Sequence, residues 1–411
     1  LGDLYGMHWP YKQHETSRNQ KLLPYHNDLK NAGACFGQSG EYERPMWFAL
    51  NNSKPEYDYS FNYQNWYPSV EYECKNTIEN VGLFELSPFS KYEIKGEKAY
   101  EELQRLCTAN IKNEIGKCTY THMLNEGAGI ETDLTVVCID NNHFRIISSA
   151  AVRTHDKAHI LKYLSPDVEF KDVTDDIICL GVFGPKSRDL LSKLTNEDLS
   201  NENFKFGTSK ILKIGSVNVW TQRLSYVGEL GYELYIDQDK GKEIYDLIVN
   251  TGKDFKLSHC GSHTMDIMRM ESGFLHWGHD ISPEENQYQA GLNFAISFKK
   301  PFNFIGKEQL QKIKDQKLDR RFAMFVLKNS EPGNPLLLHE EPIYLDDDII
   351  GKTTSGNYSF NYDKNLSFGY IKSDLSNEEL QDKNIYIEIE KKKYPAEILL
   401  KPLKQINFKT I

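Results

Sequence analysis

The chain has 411 residues and a formal net charge of −10, and 39% of its residues are hydrophobic. At roughly 100 to 200 residues per domain, this length predicts two or three folded domains. The acidic balance, with no stretch that concentrates lysine and arginine, argues against nucleic acid as a partner. No apolar run reaches the about 20 residues of a membrane-spanning helix, so no membrane partner is predicted.

The seven cysteines are scattered along the chain and form no C-x-x-C pair. This pattern favours reduced, mostly structural thiols. We therefore expect a cytoplasmic protein, or a protein of the mitochondrial matrix if the source is eukaryotic. Because the chain begins at Leu1 without a methionine or a targeting segment, we expect it to be a fragment or a processed product, with a further segment upstream.

The first 67 residues are rich in aromatic residues and proline and show little helical or strand periodicity. Two aromatic motifs lie here, Met7-His8-Trp9-Pro10 and Glu43-Arg44-Pro45-Met46-Trp47-Phe48. Residues 54–68 are polar, aromatic and bounded by proline, which is typical of a loop. Residues 1–67 are therefore predicted to be a lead-in that wraps another domain.

Between residues 68 and 315, short strand-like runs alternate with helical ones. The predicted strands are Phe84–Ile94, Leu134–Ile139, Phe144–Ser148, Ile177–Phe183, Val217–Leu224 and Tyr232–Ile236. The predicted helices are Ala99–Cys107, His155–Leu164, Ser187–Leu194, Lys242–Val249 and His263–Glu271. This order predicts an α+β domain with mixed sheets, and not the regular βαβ repeat of a doubly wound sheet.

A basic helix is predicted at Lys307–Lys317, and mainly strands follow in residues 320–411. The predicted strands are Arg321–Leu327, Pro342–Leu345, Ile349–Thr354, Leu366–Ile371, Ile385–Ile389 and Tyr394–Leu399. Their regular spacing predicts a small antiparallel β-barrel as the last domain.

Several local signatures of common enzyme classes are absent. The chain has no G-x-G-x-x-G, Walker A, H-E-x-x-H or G-x-S-x-G motif, so dinucleotide, nucleoside triphosphate, zinc peptidase and hydrolase sites lack support. His276, His279 and Asp280 could supply part of a metal site, but a glycine-containing loop with histidines bonded to the backbone is the favoured interpretation. No metal is predicted.

Asp133 follows the Gly-rich segment Asn125–Thr132 and precedes the apolar run Leu134–Ile139. A carboxylate at the mouth of a strand can reach a cleft while its backbone is fixed, which suits a general base or the electrostatic partner of a cation. Because aspartate is also a common turn residue, a role in closing the turn is the alternative, and the pattern alone favours it.

Glu233 lies in the strand-like segment Gly231–Ile236. Strand alternation places Tyr232 and Leu234 on one face and Glu233 with Tyr235 on the other. Glu233 is therefore on a solvated face or in a pocket, and the pattern alone favours the solvated face because glutamate is seldom buried unpaired.

At these two segments the chain resembles the glycine cleavage T-protein (aminomethyltransferase) family, and more closely the C-terminal folate-binding half of dimethylglycine and sarcosine dehydrogenases. T-proteins lack the first sixty or so residues, which favours the dehydrogenase branch. The resemblance implies a linking segment at 1–67, an aminomethyltransferase folate-binding domain at 68–315 and a β-barrel domain at 316–411. It rests on the motifs Leu4–Pro10, Glu43–Phe48, Asn80–Ser87, Tyr120–Asn125, Gly273–Asp280 and Ala290–Leu292.

The resemblance also implies ligands and residue roles. Tetrahydrofolate is the implied cofactor, and a small N-methyl amine is the implied second ligand. Asp133 matches the catalytic aspartate of the family, and Glu233 matches the glutamate that hydrogen-bonds the pteridine ring. Four further residues are implied in cofactor binding: Tyr120, Met123, Tyr226 and Tyr232.

The implied reaction captures the methylene of an oxidised dimethylglycine- or sarcosine-type amine as 5,10-methylenetetrahydrofolate, with Asp133 stabilising the iminium and accepting a proton. FAD is expected only if a separate or missing flavin domain is present, and such a domain or subunit is the expected partner. One alternative is a stand-alone folate-dependent demethylase that transfers a methyl group from a sulfonium or ammonium compound such as dimethylsulfoniopropionate. The other alternative is a non-catalytic assembly module of a flavoprotein amine dehydrogenase.

Overall fold

A computed structural model describes residue 6 and residues 8–50 and 53–407. Three residues of the opening motif, Leu4, Tyr5 and Met7, lie outside these described residues. Within the described part of the chain, no helix is both long enough and apolar enough to cross a bilayer.

The lead-in contains more regular structure than its sequence pattern predicts. It forms the helix α1 (His26–Asn31) and a hairpin of the strands β1 (Ala34–Ser39) and β2 (Tyr42–Phe48). Gly40 and Glu41, both at positive φ, make the tight turn between the strands. Six of the seven residues of β2 are buried, so polar and apolar residues do not alternate along it, and the expected signal of a strand is missing.

The central region forms two sheets and their covering helices. Its elements in chain order are α2 (Tyr67–Glu79), β3 (Val81–Glu85), β4 (Ser90–Lys95), α3 (Ala99–Leu106), β5 (Cys118–Leu124), β6 (Ile130–Asp140), β7 (His143–Ser148), α4 (Arg153–Tyr163), β8 (Glu169–Asp172), β9 (Ile177–Phe183), α5 (Ser187–Leu191), β10 (Ser209–Ile214), β11 (Val217–Gln222), β12 (Gly231–Asp237), α6 (Gly241–Gly252), β13 (Leu257–Cys260) and α7 (Ser262–Glu271). The predicted helices of this region are present, with ends shifted by up to three residues.

The predicted single strand Phe84–Ile94 is wrong. It is two strands, because β3 ends at Glu85 and β4 begins at Ser90. Pro88 lies between them and has no backbone N–H to donate to a ladder. The two strands also belong to different sheets, so this short loop carries the chain from one sheet to the other.

The two sheets differ in the relative direction of their strands. The first has the strand order β10-β11-β12-β9-β3-β13, in which β3 and β13 are parallel and the other pairs are antiparallel. The second has the order β5-β6-β7-β4-β8 and is antiparallel. Cys118 Sγ of the second sheet lies 4.0 Å from Gln222 Oε1 of the first. The predicted α+β chain with mixed sheets is confirmed.

A closed antiparallel barrel follows the helix α8 (Lys307–Lys314), and its strand order is β14-β17-β16-β15-β18-β19. The predicted C-terminal barrel is therefore confirmed. The predicted domain boundaries at 67/68 and 315/316 lie beside the start of α2 and the end of α8, and they stay predictions. The elements of the barrel are β14 (Arg321–Leu327), β15 (Pro342–Leu345), β16 (Asp348–Ser359), β17 (Lys364–Ile371), α9 (Asn377–Leu380), β18 (Ile385–Ile389) and β19 (Lys392–Leu399).

Candidate active site

Asp133 lies inside strand β6, which begins three residues earlier at Ile130, so it does not close the preceding turn. Its side chain is 18% exposed, and its Oδ1 atom is buried without a hydrogen-bond partner. Burial, with a contribution from the charge of Asp156, raises the pKa of Asp133 to about 7, although the nearby Tyr120 hydroxyl acts in the opposite direction. A carboxyl group with this pKa can exchange protons near neutral pH.

Strand β5 places two side chains against Asp133. His122 is its direct partner in the β5–β6 ladder, with Nε2 3.8 Å from Asp133 Oδ1. Tyr120 is on the same face, and its hydroxyl lies 3.1 Å from His122 Nε2. Although Tyr120 is 39% exposed, burial of its hydroxyl end and the charge of Asp133 hold its pKa well above the usual value. The Tyr120 ring stacks on Phe294, which is 73% exposed, so aromatic surface continues outward from the carboxylate.

The hydrogen bonds around His122 determine which of its nitrogens carries the hydrogen. Thr108 Oγ1 donates to Ala295 O (2.9 Å), so it accepts from Gln287 Nε2 (3.1 Å). The same amide nitrogen donates to His122 Nδ1 (2.8 Å). Because burial lowers the pKa of His122 to about 3, the ring is neutral and carries its hydrogen on Nε2, which faces Asp133.

His122 and Gln287 were not predicted from the sequence as site residues. Strand alternation could have placed His122 on the face of Tyr120 and opposite Asp133, had β5 been predicted. Two adjacent residues of β5, Thr121 and His122, are polar and buried, which hides the usual alternation of polar and apolar positions. Gln287 is 165 positions from His122 in the chain, so no local pattern could have related the two residues.

Glu233 lies on strand β12, on the face that packs toward the second sheet. The pattern-based preference for a solvated face is wrong, because Tyr235 on the same face is only 4% exposed. Tyr235 donates to Glu233 Oε2 (2.8 Å). Burial raises the pKa of Glu233 to about 7 against the opposing effect of this hydrogen bond.

Two unpaired donors lie beside Glu233 on strand β11. Gln222 is paired with Glu233 and Trp220 with Tyr235, so all four side chains share one face of the sheet. Gln222 Nε2 and Trp220 Nε1 are buried and have no hydrogen-bond partner within the described part of the chain. Buried polar groups are usually hydrogen-bonded, so two such donors beside a carboxylate suit a flat ligand that carries both acceptors and N–H groups.

The other residues implied in cofactor binding have separate locations. Tyr226 donates to Leu275 O (2.8 Å) and stacks on Phe274, and burial raises its pKa, with the charge of Asp133 contributing. Tyr226 is therefore near Asp133, together with Tyr120. The structure does not bring the side chains of Tyr232 and Met123 to this cluster.

Tyr232 and Met123 point away from the site because adjacent residues of a strand face opposite sides of the sheet. Tyr232 is fully buried on the other face of β12 from Glu233, and its hydroxyl accepts from Arg188 Nε (3.1 Å). Met123 follows His122 and is fully buried in the hydrophobic cluster on the other face of β5 and β6, with Phe144. These two side chains pack in cores.

The loop with His276 and His279 has a structural arrangement. The two imidazoles stack at 4.5 Å, and Asp280 accepts hydrogen bonds from Thr354, Ser355, the His276 backbone and the Arg269 guanidinium. Across the described ranges, no three His, Cys, Asp or Glu side chains are grouped so that they could hold a metal ion. All seven cysteines are free, and Cys118 is the least buried of them.

Two family models match the chain. The GCVT N-terminal domain matches residues 25–300, and the glycine cleavage T-protein C-terminal barrel domain matches residues 320–404. Among solved structures, aminomethyltransferase T of the glycine cleavage system from Bartonella henselae superimposes with a TM-score of 0.80 at 20% identity. That match covers 94% of this chain and 98% of the other, and it confirms the aminomethyltransferase fold.

The curated relatives include both long and short proteins. 4-Methylaminobutanoate oxidase (formaldehyde-forming) of Paenarthrobacter nicotinovorans is 36% identical over 98% of this chain and 48% of its own length. Mitochondrial dimethylglycine dehydrogenase of Rattus norvegicus is 35% identical over 88% of this chain and 42% of its own length. The chain thus spans about half the length of these two relatives. Aminomethyltransferase of Halothermothrix orenii is 31% identical over 75% of this chain and 85% of its own length.

Proposed function

The chain belongs to the glycine cleavage T-protein family, whose activity is folate-dependent aminomethyl transfer, and we propose that its substrate is an oxidised N-methyl amine. The amine is of the dimethylglycine or sarcosine type, and its one-carbon unit passes to tetrahydrofolate. The observation that carries this proposal is the shielded, unpartnered Oδ1 of Asp133, beside Tyr120 and the hydrogen-bearing nitrogen of His122.

Glu233 and its neighbours on β11, Trp220 and Gln222, fit a folate ring. A pteridine has N–H groups, which suit the acceptor oxygens of Glu233, and it has nitrogen and oxygen acceptors, which suit the free Trp220 and Gln222 donors. We propose that these three residues hold tetrahydrofolate, with Tyr226 and Tyr120 offering aromatic faces. When bound, tetrahydrofolate supplies the nucleophilic nitrogens that accept the one-carbon unit.

Asp133 has two tasks in this proposal. Its carboxylate stabilises an iminium cation, because opposite charges attract more strongly where water is largely excluded. It then accepts the proton released during transfer, a role that its pKa of about 7 suits. His122 and Tyr120 orient the carboxylate from β5. Holding both reactants in one cleft also limits the loss of the one-carbon unit as formaldehyde.

The oxidation itself needs an electron acceptor that we assign to a partner. The chain has no dinucleotide fingerprint, and two of its relatives named above are an oxidase and a dehydrogenase about twice its length. We propose that a flavin-binding domain or subunit, with FAD, supplies the oxidised amine to the Asp133 site.

Product analysis tests the proposal. The purified chain is mixed with tetrahydrofolate, dimethylglycine and a separate flavoprotein that oxidises dimethylglycine, and folate products and formaldehyde are measured by mass spectrometry. We expect 5,10-methylenetetrahydrofolate to form at the expense of formaldehyde. Asp133→Asn should abolish this capture, whereas Asp140→Asn, an exposed position on the same strand, should not.

The other outcomes identify the alternatives. Formation of 5-methyltetrahydrofolate from a sulfonium or ammonium donor without an oxidant would replace the proposal with a stand-alone demethylase. Stable association with a flavoprotein, unchanged formaldehyde release and no tetrahydrofolate binding by calorimetry would replace it with a non-catalytic assembly module.

A further inference from the structure

Arg44 is a nearly buried cation that has no oxygen partner among the residues that the structure describes. It lies on strand β2 of the lead-in and is 9% exposed. Its hydrogen-bond partner among the described residues is the thioether of Met265, with Nη2 3.8 Å from Sδ. Its guanidinium carbon lies 5.6 Å from the centre of the Phe89 ring. A thioether is a weak acceptor, so most of the donor capacity of the guanidinium is unused.

The guanidinium groups of the other arginines all donate hydrogen bonds to oxygen atoms. Arg269, which is 1% exposed, donates to carboxylates, to a serine hydroxyl and to a backbone carbonyl. Each of the remaining arginines likewise donates to at least one oxygen: Arg18, Arg105, Arg145, Arg153, Arg188, Arg223, Arg320 and Arg321. Arg44 therefore departs from the pattern of the whole chain.

The neighbouring carboxylates do not neutralise Arg44. Glu85 and Asp266 act on it electrostatically, but it forms no ion pair within 4.0 Å with any described residue. Glu85 is instead bonded to the Tyr25 hydroxyl and the Ser87 N–H. As a result, burial lowers the pKa of Arg44 to about 10. A buried charge is costly unless it is paired, so the guanidinium nitrogens that lack a protein oxygen partner suit an anionic ligand.

Arg44 borders the same group of side chains as the candidate active site. Met265 and Phe89 belong to the hydrophobic cluster that also includes Tyr226, Tyr235 and Trp220. Helix α7 carries Met265 and packs against β2, so the lead-in places the guanidinium beside this cluster. A planar guanidinium has the geometry to bind a carboxylate with two parallel hydrogen bonds.

We infer that Arg44 is the binding site for a carboxylate group of a ligand that occupies the cleft. This inference rests on the proposed function, because both of the proposed ligands carry carboxylates. The group is either a carboxylate of the glutamyl tail of tetrahydrofolate or the carboxylate of the N-methyl amino acid. In both cases the lead-in is part of the binding site.

Calorimetry with matched ligands tests the inference and separates the two sources. One arm compares tetrahydrofolate with 6-methyltetrahydropterin, which lacks the tail. The second arm compares dimethylglycine with dimethylethanolamine, which lacks the carboxylate, at saturating tetrahydrofolate. In the arm whose carboxylate Arg44 binds, Arg44→Met should weaken binding of the carboxylate ligand about tenfold to hundredfold. Binding of the analogue that lacks the carboxylate should not change. Arg44→Lys should give an intermediate loss.

The melting temperature without ligand distinguishes a ligand-binding arginine from a structural one, because replacing a structural arginine would lower it. Arg44→Met should melt at the same or a higher temperature without ligand, because it removes an unpaired buried charge. The control Arg18→Met should melt at a lower temperature, because it breaks the ion pair with Glu43. It should bind both ligands as the unaltered chain does.

Three results would overturn the inference. The first is that Arg44→Met binds tetrahydrofolate as tightly as the unaltered chain does, and likewise dimethylglycine. This result would leave the proposed function intact. The second is a fall in the melting temperature of Arg44→Met as large as that of Arg18→Met. The third is an unaltered chain that binds neither ligand, which would overturn the proposed function as well.

Discussion

His122 lies directly opposite Asp133 in the β5–β6 ladder, with Nε2 3.8 Å from the unpartnered Oδ1. The hydrogen of His122 is on this nitrogen, since Gln287 donates to the other one. A donor and an acceptor therefore face each other just beyond hydrogen-bond distance. Catalytic hydrogen bonds often shorten only when the ligand is bound, so this pair is arranged to stabilise the carboxylate form of Asp133.

Replacing Asp133 should stabilise the protein while it removes activity. Burial raises the pKa of Asp133 from 3.8 to about 7 in the folded state, so the folded chain binds an extra proton between these pH values. Stability therefore falls as the pH rises through this window. Asp133→Asn lacks this loss and should melt higher than the unaltered chain at pH 8, with the difference vanishing near pH 4. A difference that does not depend on pH would contradict the raised pKa.

The rate of one-carbon capture should decline below about pH 7, as Asp133 becomes protonated. A single titration predicts a fall of about tenfold per pH unit on this acid limb. Besides burial, Tyr120 and Asp156 act on the pKa of Asp133, and His122 and Tyr226 also lie near its carboxyl group. Initial rates from pH 5 to 9 at saturating tetrahydrofolate give the profile, and a flat profile would exclude Asp133 as the proton acceptor.

Gln287→Glu should move the hydrogen of His122 from Nε2 to Nδ1, because a carboxylate accepts where the amide donates. The nitrogen lone pair would then face Asp133, and capture should slow about tenfold to hundredfold. Nitrogen NMR of labelled histidine reports the tautomer directly. The control Gln287→Met removes the donor without imposing the other tautomer and should slow capture less. An unaltered chain with its hydrogen on Nδ1 would show that this assignment is incorrect.

Glu233→Gln should weaken tetrahydrofolate binding by about tenfold and leave the rate at saturation nearly unchanged, because it alters one acceptor of the proposed ring site. Tyr232→Phe is the matched control, since its side chain is on the opposite face of β12. It should cost about 1 kcal/mol of stability through the lost contact with Arg188 and leave folate binding intact. Calorimetry measures the effect on binding, and thermal unfolding measures the effect on stability. Weaker tetrahydrofolate binding by Tyr232→Phe would show that Tyr232 contributes to the folate site.

Part of the order of elements was predictable from the sequence, because helices and half-buried strands record their environment locally, whereas the lead-in hairpin and β5 were not predicted. The strand Ile177–Phe183 is apolar throughout and is predicted with its observed bounds. The barrel strands alternate or form short apolar runs, and their spacing alone predicts the closed antiparallel sheet. Asp133 and Glu233 were predicted as site residues from the resemblance to the family, and the local pattern left their structural setting open.

The tertiary structure alone decided which side chains meet. Tyr232 and Met123 are adjacent in sequence to site residues, and the geometry of a strand sends them into cores on the other face. His122 and Gln287 are far apart in sequence and meet because the loop containing Gln287 packs against β5. Arg44 reaches Met265 for a similar reason. Local sequence patterns report burial within one element, whereas a site depends on contacts between distant segments, which only packing establishes.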